Sequence, residues 1–128
     1  MLGRYKIYRG KRPEGHAWPD GIRQDGRKHT RHCLRPGAEM EEDYLQDPGD
    51  PGWQKFAAAH LALVEGRFAE DRVPFDELAR ISIDDDVFLG CSCPTQKNPD
   101  AQRCHTALAL QFMREKYPDL QVDINLSS

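Results

Sequence analysis

Apolar and polar residues alternate along residues 3–9, with Gly3, Tyr5 and Ile7 on one side and Arg4, Lys6 and Tyr8 on the other. Period two with aromatic and β-branched residues predicts a strand, and Gly10 ends it. Residues 10–37 are rich in Gly, Pro and charge without periodicity, which predicts a long loop; loops of that length in a compact domain usually carry function or are disordered. Residues 38–46 favour a short helix, and the breaker cluster Asp47-Pro48-Gly49-Asp50-Pro51-Gly52 follows. Asp50 is placed to cap a second helix over 51–69 with Pro51 at its first position. Trp53, Phe56, Ala57, His60, Leu61 and Val64 give that helix an apolar stripe. A third helix is expected over 74–81, opened by Pro74.

After the turn Asp84-Asp85-Asp86, the continuous apolar run Val87–Cys91 predicts a buried strand. Residues 94–103 are loop, and 104–116 form a helix with Ala107, Leu108, Leu110, Phe112 and Met113 on its apolar face. Tyr117-Pro118-Asp119 stops it, and Leu120, Val122, Ile124 and Leu126 alternate with polar residues as a further strand over 120–126. Strand 87–91, helix 104–116 and strand 120–126 make a C-terminal strand-helix-strand unit. The pattern predicts one α/β domain over residues 1–128, an open, mostly parallel sheet covered by helices.

Composition agrees with this picture. The chain has 128 residues, 38% of them hydrophobic and 30% charged, enough for one core. No apolar stretch approaches the roughly 20 residues of a membrane helix, and residues 1–12 are charged throughout, with no apolar segment of a signal peptide. A cytoplasmic protein is expected. Thiols stay reduced there, so the four cysteines read as metal ligands, reactive thiols or packing residues before disulfides.

Charge is unevenly spread. Residues 1–35 carry ten Lys and Arg against three acids, net +7, while the remainder carries eight against eighteen, net −10, for −3 in all. A basic third suggests an anionic partner; alternatively the two surfaces neutralise each other within the fold. The stretch 23–35 concentrates the effect, with five Arg or Lys, two His and one acid. Arg23, Arg27, Lys28 and Arg31 are the candidate phosphate holders, Arg as a bidentate fork and Lys as a point charge. A nucleotide or a nucleic acid fits such a segment, with Trp18, Tyr5 and Tyr8 as candidate stacking surfaces or core residues. Asp84, Asp85 and Asp86 read as a solvated cap before a Mg²⁺ site, and His16 and His60 stand alone.

The chemistry concentrates in Cys91-Ser92-Cys93-Pro94 and Cys104-His105. Cys91 and Cys93 fall at the carboxyl end of a strand, two residues apart and so on one side. Cys104 and His105 fall at the first turn of the following helix. Open α/β sheets bind ligands in that crevice, and a helix amino terminus lowers a thiol pKa, which points to Cys104 as the functional thiolate. One reading is a nucleophilic or redox thiol at Cys104 with His105 or another His as base; another makes Cys91 and Cys93 an exchange pair for Cys104. A third is a zinc or iron site of Cys91, Cys93, Cys104 and His105. Its C-x-C-x₁₀-C-H spacing is not that of zinc ribbons, and adjacent Cys104 and His105 would have to turn to one ion. Cys91 alone also reads as a small buried hydrophobe. Cys33 either folds over as a fourth ligand or resolving thiol, or packs beside Leu34.

Trp53-Gln-Lys-Phe56, Phe75-Asp-Glu-Leu78, Val87-Phe-Leu-Gly-Cys91-Ser-Cys93 and Cys104-His105 together resemble small bacterial and phage proteins catalogued as domains of unknown function four-eight-eight and four-three-two-six. Both end in a strand–Cys–loop–Cys-His–helix arrangement, and the second shows a C-x-C before the Cys-His. The resemblance covers about residues 53–116 and departs at Thr106 and in the longer loop 94–103. It implies a small α/β fold and a site at the two Cys motifs, and no particular activity. The function expected is a nucleotide- or nucleic-acid-directed protein, an enzyme if the thiols act on a phosphorylated substrate. The alternatives are a binding module with structural zinc or iron, and a protein-interaction scaffold.

Overall fold

The computed structural model describes residues 1–8, 10–100 and 102–124. The chain runs β1 (Leu2–Lys6), β2 (Ile22–Asp25), α1 (Ala38–Gln46), α2 (Asp50–Glu70), α3 (Val73–Asp84), β3 (Val87–Cys91) and α4 (His105–Lys116). The sheet has the order β1-β3-β2, and both pairings are parallel. β3 is the central strand, which explains its unbroken apolar run: a parallel strand covered on both faces has no polar side to show. The expected open α/β sheet covered by helices is what forms.

Leu2, Val87 and Leu89 from the sheet join Val64, Phe75, Leu78, Leu110, Phe112 and Met113 in the main core. Tyr44, Phe56 and Leu108 make a second cluster where α1, α2 and α4 meet. His60, on the buried stripe of α2, stacks on Phe56 with ring planes 1° apart, and among the described residues neither of its ring nitrogens has a hydrogen-bond partner.

Four expectations are corrected. The stretch 10–37 is not all loop, because Ile22–Asp25 adds β2 to the sheet edge. It carries no apolar alternation, since an edge strand with Ile22 exposed is held by its ladder to β3 rather than by burial. Gly21 leads into it at φ +139, where an added Cβ would stand 2.6 Å from the Asp86 carbonyl oxygen. The first strand is Leu2–Lys6 rather than 3–9, with Arg9 outside the described residues.

The strand expected over 120–126 is reduced, within the described residues, to one parallel bridge between Leu2 and Val122. Leu2 N donates to the Gln121 carbonyl at 2.9 Å, and Asp123 N to the Leu2 carbonyl at 2.8 Å. The segment therefore lies beside β1, on the side away from β3. Asn125 and Leu126 fall outside the described residues. Lastly, Gly49 and not Asp50 occupies the cap of α2, with no side-chain cap bond. Asp50 is the first helical residue, its carboxylate favourably placed at the positive end of the helix and paired with Arg103.

Candidate functional site

β3 ends at Cys91, and the loop 92–103 carries the chain to Cys104, which caps α4 from an extended conformation. This brings three thiols together. Cys104 Sγ donates to Cys91 Sγ at 3.5 Å, and the Cys93 thiol interacts with both. Cys91 and Cys104 are buried, while Cys93 is half-buried.

Arg4, on neighbouring β1, reaches across the end of β3. Its Nη2 donates to Cys91 Sγ at 3.2 Å and also to the Cys93 carbonyl oxygen. Among the described residues no carboxylate lies within ion-pair reach of Arg4. A guanidinium stays charged at every ordinary pH, so the group placed to balance it is the Cys91 sulfur. The donated Cys104 S–H, the interacting Cys93 thiol and the Arg4 charge hold the Cys91 pKa well below the ordinary thiol value, against its burial. The Cys104 pKa is driven well above that value, because its proton sits between the other two sulfurs in a dry site.

These contacts favour ionisation at Cys91 over Cys104, the sulfur that the helix amino terminus suggested. The Cys104 sulfur spends its proton on Cys91, and that local hydrogen bond outweighs the helix-end effect. The Cys93 pKa is pushed up to about 11: the thiolate beside it and burial outweigh the lowering influence of Cys104 and of the Asn98 Nδ2 donor, 3.2 Å away.

Among the described residues His105 makes no hydrogen bond to these sulfurs, although it and Cys91 interact electrostatically. Its ring stands edge-on to His60 with centroids 6.2 Å apart, and its Nδ1 lies 3.5 Å from Thr106 Oγ1. Burial lowers its pKa and brings that of His60 down to about 3. Among the described residues no group of three or more His, Cys, Asp or Glu side chains is placed to hold a metal ion. The expected zinc or iron set of Cys91, Cys93, Cys104 and His105 is not pre-assembled among the described residues, where the His105 ring stands against His60 of α2. Cys33 lies elsewhere, against the main core and beside Arg31, Arg35 and Arg67; burial pushes its pKa up to about 11.

The four basic candidates do not converge. Arg23 packs over the Trp18 ring at 4.4 Å, Lys28 lines a surface hollow with Glu42 and Lys97, and Arg31 sits near Cys33. Arg27 alone reaches the carboxyl edge of the sheet. Asp25 grips its Nε and Nη2, which lowers the Asp25 pKa and leaves the Nη1 donors uncommitted among the described contacts. There Arg27 meets Lys6 and Lys97 around a cleft of about 670 Å³, with Tyr8, Ser92 and Thr95 also in its wall and no acidic residue lining it. A second pocket of about 120 Å³ lies across the same loop, against Cys93, Cys104, His105, Glu41 and Tyr44.

Residues 92–98 separate the two and are held from both sides. Lys6 Nζ donates to the Pro94 carbonyl at 2.6 Å, and buried Asn98 donates to the Arg103 carbonyl at 2.7 Å while accepting from Tyr44 Oη at 3.3 Å. Arg4, Lys6, Lys97 and Asn98 were not singled out from the sequence. Arg4 and Lys6 had a usable signal: in a parallel sheet the polar side of a strand is seldom a solvent side. No family model, curated protein or solved structure matches the chain.

Proposed function

We propose that the protein binds a nucleotide or a similar small phosphorylated molecule in the cleft at the carboxyl edge of the sheet. One observation carries this reading: Lys6, Arg27 and Lys97 meet around a cavity of about 670 Å³ whose lining includes no acid. That cleft opens beyond the carboxyl ends of parallel strands, where open α/β sheets hold ligands. Its volume falls within the range of small-molecule sites, roughly 300–1,000 Å³. Arg27, fixed by Asp25, offers a pre-oriented fork edge to phosphate oxygens. Ser92, Thr95 and Gln96 supply neutral donors, and Ile7 and Tyr8 supply apolar surface for the rest of the ligand.

Titration calorimetry with ADP, ATP and inorganic pyrophosphate tests the reading. Binding that weakens with salt, and weakens roughly tenfold on Arg27→Ala or Lys97→Ala, is expected, about the worth of one charge-assisted hydrogen bond. Absence of binding to all three ligands at low salt refutes it. So does binding to a single-stranded oligonucleotide that neither substitution affects.

A further inference from the structure

The pocket of about 120 Å³ on the far side of loop 92–98 is too small for a nucleotide and large enough for a few water-sized molecules. Cys93 and Cys104 lie in its wall, and Cys91 stands behind Cys104. We propose that this pocket is an oxidation site, in which hydrogen peroxide or a small organic hydroperoxide converts Cys104 and Cys91 into a disulfide. The inference is independent of the nucleotide cleft.

The geometry assigns each sulfur a part. Cys104 is the thiol that a molecule in the pocket meets. Its S–H already points at Cys91 Sγ, 3.5 Å away, so Cys91 is placed to take its proton as the attack begins. The Cys104 electron pair attacks one peroxide oxygen and the O–O bond breaks. The departing alkoxide or hydroxide takes the proton held by Cys91, leaving Cys104 as a sulfenic acid and Cys91 again as a thiolate.

Cys91 then attacks the Cys104 sulfur. The S–S bond forms, the S–O bond breaks, and the hydroxide leaves as water with a proton from solvent. Two thiol groups and one hydroperoxide thus give one disulfide, one alcohol or water, and one water. The sulfurs need to approach by about 1.5 Å to reach bonding distance, since a disulfide is ~2.05 Å long. Arg4 is a positioning residue that holds the Cys91 charge through both steps. Cys93, with its sulfur engaged by Asn98, takes no part in the bond.

The test uses the full chain carrying Cys33→Ser, so that the remote thiol is silent. The protein is treated with one equivalent of hydrogen peroxide, trapped with an alkylating agent and digested for mass spectrometry. A linked peptide pair joining Cys91 to Cys104 is expected, with two alkylatable thiols lost. Cys93→Ser keeps the linked pair and Cys104→Ser abolishes it. Because Cys104→Ser alters a buried helix cap, Arg4→Met is the second variant. It should slow the reaction roughly tenfold near neutral pH and less at high pH, where Cys91 ionises unaided. A link between Cys93 and Cys104 in place of the Cys91 pair overturns the proposal. So does accumulation of sulfinic acid without a disulfide, or an Arg4→Met rate unchanged at every pH.

Discussion

Two pockets share the loop 92–98, and they use the same strand in opposite ways. Arg4 and Lys6 project from one side of β1, two residues apart, and each donates to a carbonyl of that loop. Arg4 is drawn inward and balances a buried sulfur. Lys6, at the strand end, stands with Arg27 and Lys97 around an open cleft. The same side-chain class thus fixes a thiolate in a dry site and offers charge to a ligand in a wet one. Position along a single strand decides which, because electrostatic attraction strengthens as water is excluded.

The contrast breaks first under acid. On the thiol side His60 has no hydrogen-bond partner among the described residues, and burial brings its pKa down to about 3. The unfolded chain takes up that proton near pH 6.5, so between the two values the unfolded state binds more protons and stability drops as pH falls. The contribution is fully present above about pH 6.5 and declines down to about pH 3, a loss of roughly 4 kcal/mol. Denaturant unfolding across this range should show it, and His60→Phe should flatten the profile.

Asn98→Ala is expected to cost roughly 2–3 kcal/mol in the same measurement, since it leaves the buried Tyr44 hydroxyl and the Arg103 carbonyl without their partner. On the cleft side the effects move from stability to binding. Lys97→Ala should leave unfolding within about 0.5 kcal/mol of the parent while weakening nucleotide binding as described. Cys93→Ser should lower stability by under about 1 kcal/mol, because the hydroxyl can still accept from Asn98.

The elements legible in the sequence were those whose burial sets their pattern. β3 falls on Val87–Cys91 as its apolar run requires, helix α1 falls on Ala38–Gln46 as its residue preferences require, and the three thiols meet at the strand-to-helix crevice because parallel topology puts them there. What local pattern could not carry was pairing at a distance. β2 is a strand because β3 lies beside it, and the 120–124 segment meets β1 instead of lengthening a ladder with its own unit. The ionisation of the cluster was misread for the same reason. The helix-end argument looked along the chain at Cys104, while Cys91 is favoured by the Cys104 S–H donated to it, with the Arg4 charge added across the sheet from 87 positions away.

The central claim is that Cys91 is a thiolate held by Arg4, and thiolate absorbance in the ultraviolet, followed against pH, tests it most directly. About one thiolate per chain should persist below the ~8.5 of an ordinary thiol, should disappear in Cys91→Ser and should shift toward the ordinary range in Arg4→Met. If no thiolate forms until the ordinary range is reached, or if it survives both substitutions, the charge assignment at the end of β3 is contradicted.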